Sequence, residues 1–189
     1  MAPVHKPVNS PGPAYHAVPP GWSAEEIAAR HRALGGVFPL EPQPAAAQAH
    51  PPYLTDRPRW LRYIATLRAL VGGIRAGDAA AVHLAVEYIC LNYHGSYAGF
   101  LRARLARALK SAALTEAQKQ ALDAHFLALV ETRNYAEEFR IYRKLWAGLI
   151  SEETVEKLRR HARTTAPDTP HARWLADLDA TARTRRLNA

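Results

Sequence analysis

His83, Glu87, Cys90 and His94 follow one another at intervals of four, three and four residues. At 100° per residue these side chains fall within about 60° of one another on one helix face. Imidazole, carboxylate and thiolate all ligate zinc, so the row has the composition of a metal site. The geometry of a straight helix works against it. The four positions span roughly 16 Å of helix axis, and a tetrahedral site needs ligands that converge on a point. Only neighbours such as His83–Glu87 or Cys90–His94 could share an ion, with help from elsewhere in the chain. A His–Glu pair at i,i+4 is also an ordinary helix contact, and a lone cysteine behaves as a small core residue. No metal and no cofactor is expected, and a metal or small-molecule site at the Cys90–His94 turn is the weakest of the readings.

The segment Tyr93-His94-Gly95-Ser96-Tyr97 gathers two phenols, an imidazole and a hydroxyl around a glycine. Ser96 lacks the strand–elbow–helix setting that activates a hydrolase serine. It reads better as a helix N-cap, with the tyrosines as core residues whose hydroxyls stay wet. No glycine-rich phosphate loop, HExxH or CxxC is present, and nothing in the chain positively supports enzyme activity.

Arginine supplies the most defensible surface. Arg102, Arg104, Arg107 and Lys110 are expected to project from the sides of one helix not occupied by Leu101, Leu105 and Leu109. Arg59 and Arg62 extend the patch if their helix packs alongside. Guanidinium groups grip phosphates through charge-assisted hydrogen bonds. The alternative is a solvated face paired with neighbouring acids. No helix-turn-helix reader or aromatic RNA platform stands out, so sequence-specific recognition is not indicated.

Positioning these groups falls to a run of amphipathic helices. Asp78 is a good N-cap, and Val82, Val86, Ile89 and Tyr93 recur behind it at helical spacing until Gly95. Thr115 with Gln118 forms a capping box before Leu122, Phe126, Leu129 and Val130. Asn134 with Glu137 repeats the device before Phe139, Tyr142 and Trp146. Upstream, Ser23 with Glu26 caps a short helix of about 23–34, and Trp22 can staple onto Ile27. A helix from Thr55 or Asp56 carries Trp60, Ile64, Leu67 and Val71, and Gly72-Gly73 is expected to end it. Ser151-Glu152-Glu153 and Thr169-Pro170 open two more. Proline punctuates residues 1–21 and 39–55, which read as an irregular arm and a surface linker.

The predicted fold is therefore all-α. Six to eight helices form antiparallel helical hairpins behind a Pro-rich irregular N-terminal arm, with residues 1–54 as the arm and 55–189 as a single helical domain. Alternate helix starts lie 35–38 residues apart, the period of a HEAT-like hairpin repeat, although an up-down bundle gives the same spacing.

The chain has 189 residues and a formal charge of +8, with 48% hydrophobic residues. That composition supports a packed core and argues against global disorder. Residues 57–110 carry +7, residues 111–156 carry −3 and residues 157–189 carry +5. Two basic blocks thus flank an acidic centre, a distribution that attracts acidic partners or nucleic acid. No run of 18 apolar residues predicts a membrane span, and Met1–Pro7 contains no apolar core of a secretory leader. One cysteine fits a reducing compartment, so a cytoplasmic location is expected. Twenty of the 25 basic residues are arginine, a bias that fits a GC-rich bacterial genome. The expected function is a non-enzymatic interaction module that binds a protein partner through a helical face. The alternative is a nucleic-acid-binding protein that uses the 57–110 block.

Overall fold

A computed structural model describes residues 16–41, 57–132 and 138–163. Among them the chain forms seven helices and no strand: α1 (Ala24–Ala33), α2 (Arg57–Arg75), α3 (Ala79–Cys90), α4 (Ala98–Leu109), α5 (Glu116–Glu131), α6 (Phe139–Trp146) and α7 (Glu152–Arg163). The class is all-α, as the apolar periodicity requires. No helix among the described residues is long and apolar enough to cross a membrane.

Side chains start α1, α3, α5 and α7 where the sequence places the caps. The Ser23 hydroxyl accepts from the Glu26 N–H while the Glu26 carboxylate accepts from the Ser23 N–H, a complete capping box. Thr115 and Gln118 make the same exchange at α5. Ser151 Oγ accepts from the Thr154 N–H at the start of α7. The Asn134–Glu137 box, the helix expected from Thr169, the linker from residue 42 and the first fifteen residues lie outside the described residues.

Three boundaries differ from expectation. Gly72-Gly73 does not end α2, which continues to Arg75 before Gly77 takes φ +78°. The glycines serve close packing instead. A Cβ on Gly73 would stand 2.7 Å from the Ala81 methyl of α3, and one on Gly72 would stand 2.7 Å from the Phe38 ring. Helix α3 closes at Cys90 rather than Gly95. The residue that precedes α4 is Tyr97, not Ser96, and it caps nothing with its side chain.

Among the described helices, each extensive contact joins a helix to the next one or the next but one. Sequential pairs α1–α2, α2–α3, α3–α4 and α5–α6 pack together, and so do α1–α3, α2–α4, α3–α5, α4–α6 and α5–α7. The odd-numbered helices thus form one layer and the even-numbered helices the other. This is how stacked hairpins pack, each layer burying the apolar stripe of its neighbours. One continuous core runs through the stack from Trp22 and Ile27 through Leu67, Leu84 and Leu105 to Phe126, Trp146 and Leu158.

Three buried carboxylates pin the layers. Asp78 caps α3 through Ala81 N (3.0 Å), and its other oxygen accepts from Val37 N (2.8 Å), Phe38 N (2.6 Å) and His31 Nε2 (3.1 Å). Asp123 of α5 accepts from the Trp146 indole (2.5 Å), Ser151 N and the Thr154 hydroxyl. Glu138 receives the Arg102 guanidinium. Each carboxylate satisfies donors from other parts of the stack, which offsets the cost of burying its charge.

Candidate functional site

Helices α2 and α4 lie side by side in the even layer. On α2, Arg68, Val71 and Arg75 recur at three and four residues, so they share a face. On α4, Phe100, Arg104 and Arg107 do the same. The two faces border a cleft of about 450 Å³ floored by Val71, Leu101 and Ala108, a volume within the range of small-ligand sites. Arg68, Arg75, Arg104 and Arg107 are all exposed at its walls, and no carboxylate lines it.

Tyr97 closes one end. Its backbone takes φ +67°, a conformation rare for a bulky side chain and costing on the order of 1–3 kcal/mol. Surrounding contacts hold it there. The Arg68 guanidinium donates to the Tyr97 hydroxyl at 2.6 Å and lies 5.0 Å from the ring centre. The ring also stacks with Phe100 at 5.2 Å and 29°. Phe100 itself is 67% exposed.

The loop that presents Tyr97 is braced from inside the stack. Arg102, opposite the cleft on α4, donates to the Tyr93 carbonyl, to Glu138 and to the Tyr142 hydroxyl. The Tyr93 hydroxyl reaches the Ala17 carbonyl at 3.2 Å, and the ring crosses Gly95 so closely that a Cβ there would lie 2.3 Å from it. Burial works against the Arg102 charge, but Tyr142 and Glu138 together raise its pKa above the usual guanidinium value. Nearby, burial and then the Arg102 charge push His125 down to about 4, so its imidazole is neutral at pH 7. Burial raises the Tyr88 phenol to about 12, and its hydroxyl pairs with that of Tyr63.

A cleft with four guanidiniums and no counter-charge on its walls focuses positive potential on whatever enters it. Arg75, Arg104 and Arg107 make no ion pair among the described residues, so their donors are available to a ligand. Guanidinium is charged throughout the physiological range and matches phosphate or carboxylate oxygens two at a time. The arrangement can hold anions and stack a planar group.

Of the six binding residues expected from the sequence, Arg104 and Arg107 line this cleft, and Lys110 is exposed one turn further along α4. Arg102 departs from expectation: it is 2% exposed and ion-paired inside the stack. Its spacing from Leu105 and Leu109, three and seven residues, puts it on the leucine stripe rather than beside it. Arg62 pairs with Glu25 of α1, and Arg59 acts electrostatically on Glu26, so both serve the α1 side of α2. Arg68, Arg75 and Phe100 escaped the sequence reading, and Tyr97, expected as a core residue, is instead exposed at the cleft, held out by its positive φ and by Arg68. The signal was present in the seven-residue interval between Arg68 and Arg75, which puts both guanidiniums on one face of α2.

The zinc-competent row is not brought together. His83 Nε2 lies 3.6 Å from Glu87, which also receives Arg30, while the Cys90 thiol faces the Ala121 carbonyl at 3.8 Å. Among the described residues no three His, Cys, Asp or Glu side chains are grouped to hold an ion. No family model matches the chain, and neither a curated protein nor a solved structure matches it.

Proposed function

We propose that this protein is a non-enzymatic binding module whose working surface is the cleft between α2 and α4 and whose ligand is the phosphate backbone of a nucleic acid. The observation that carries this reading is the presence of four exposed guanidiniums on the walls of one cleft with no carboxylate among them. It takes up the nucleic-acid alternative raised by the sequence in place of the protein partner, keeps Arg104 and Arg107, and sets Arg68 and Arg75 beside them instead of Arg59, Arg62 and Arg102. Binding through backbone phosphates is indifferent to sequence and strongly dependent on salt.

A protein partner is the second reading. It is supported by Leu34 and by Val37, 87% exposed, which offer an apolar contact at the end of α1. These two side chains are a small area beside a cleft that carries four charges.

Titration of a labelled mixed-sequence oligonucleotide between 25 and 400 mM salt tests the first reading. Three phosphate contacts, at Arg75, Arg104 and Arg107, give a slope of about −2 in log K against log salt. Arg104→Glu with Arg107→Glu removes most of the binding and brings the slope to about −1. No binding at 25 mM salt, or binding unchanged in the double variant, overturns it.

A further inference from the structure

We infer that the nucleic acid is single-stranded, with an unpaired base stacked on Phe100 and the flanking phosphates held by Arg75, Arg104 and Arg107. This rests on the phosphate-binding reading and adds a ligand class to it. The observation behind it is the aromatic pair. Phe100 is the most exposed aromatic side chain among the described residues, and it stands at the rim of a cationic cleft rather than in the core. With Tyr97, also exposed, it makes a stacked aromatic pair beside the arginines, the pairing of π-face and cation on which an unpaired base can settle. Its partner Tyr97 is locked beneath it by the Arg68 hydrogen bond and by a strained backbone. The platform is thus preorganised, which lowers the entropy lost when a base settles on it.

The alternatives use this geometry less well. In a duplex the base faces are stacked on one another and unavailable, so a phosphate grip would need the arginines but not the rings. A phosphopeptide would want backbone partners, and the cleft walls are helices whose N–H and C=O groups are bonded internally. An unpaired strand needs only what the walls display: charge for its phosphates and a π-face for its base, the combination that sequence-tolerant single-strand binders use.

Binding of the full chain to three ligands of equal phosphate number separates these cases: a single strand, a blunt duplex and an abasic strand. The single strand is expected to bind best, and removal of its bases to abolish the advantage. Phe100→Ala weakens single-strand binding roughly tenfold or more, leaves duplex and abasic binding unchanged, and Phe100→Trp restores it. Because Phe100 is exposed, its loss leaves the fold intact, which circular dichroism verifies. Equal binding of the abasic strand, tighter binding of the duplex or of a doubly phosphorylated peptide, or indifference to Phe100→Ala overturns the inference. If Phe100→Ala has no effect while Arg104→Glu/Arg107→Glu still abolishes binding, the stacking platform falls and the phosphate reading stands. If the arginine variant also binds normally, both fall.

Discussion

Arg102 and Glu138, thirty-six residues apart in sequence, form an ion pair with both side chains buried between α4 and the start of α6. A buried pair is neutral to stability compared with a well-packed apolar pair, but its separated halves are costly. Arg102→Met alone strands the Glu138 carboxylate and is expected to cost about 3–5 kcal/mol. Arg102→Met combined with Glu138→Leu removes both charges and recovers most of that loss. Urea unfolding midpoints of the single and double variants measure it. Additive losses would show that the charges act independently.

Gly73 permits α2 and α3 to approach where Ala81 sits. Gly73→Ala gains helix propensity, about 1 kcal/mol, but sets a methyl 2.7 Å from the Ala81 Cβ. The helices must then move apart along a packed seam, at about 1–3 kcal/mol. Gly73→Val adds bulk and is expected to lower the melting temperature further. A stabilised Gly73→Ala protein would contradict the close approach.

Stability falls on acidification in two stages of defined sign. His125 is depressed from 6.5 to about 4 in the native state, by burial first and by Arg102 second. Between those pH values the unfolded chain takes up a proton that the folded chain refuses, so stability is full above about 6.5 and declines below it. Asp78 opens the second stage. Burial pushes its carboxyl up, but the N–H groups of Phe38 and Ala81, the His31 ring and Val37 N outweigh burial and hold it below the ordinary range. Its contribution persists above the unfolded carboxylate value and is lost as pH falls through the folded one. Unfolding free energies from pH 7.5 to 3 should flatten in the upper stage for His125→Gln and in the lower stage for Asp78→Asn.

Arg59 and Arg62 belong to the α1 seam, which gives a control for the cleft. Arg59→Glu with Arg62→Glu faces Glu25 and Glu26 with like charge, so it is expected to lower stability modestly. Its nucleic-acid salt slope should stay near the wild-type value, because the substituted residues hold no phosphate. A slope reduced by about one would return these residues to the binding surface.

The Cys90 thiol is raised to about 11, by burial and then by the Glu87 charge. Thiolate is the reactive form, so labelling by an aromatic disulfide should be slow in the folded protein and fast once it unfolds. Rapid labelling of native protein would show an accessible thiolate.

Helix starts were legible because caps are local. Ser23, Asp78 and Thr115 declare themselves within four residues, and the structure uses each as the sequence implies. Helix ends at Gly72-Gly73 and Gly95 were misplaced because glycine has two meanings, termination and close approach. Only the positions of Phe38, Ala81 and the Tyr93 ring decide between them. Arg102 was misplaced for a related reason: charge type argued for the surface while its interval to Leu105 argued for the interior, and the distant Glu138 resolved the conflict. The cleft was legible only in half. Arg104 and Arg107 fall in an obvious basic cluster, whereas Arg68 and Arg75 join them only through the packing of α2 on α4.

Because extensive packing reaches no further than two helices along the chain, a disturbance at one end has a long way to travel. Opening of α7 exposes α5 first, and α3 only after that. The second and fourth helices can therefore keep their facing surfaces in register while α7 opens. Slowest amide exchange belongs to the neighbourhood of Leu70 and Leu84, with protection decaying toward Leu158. The surface that grips and the described helix that opens first are then separate parts of the stack.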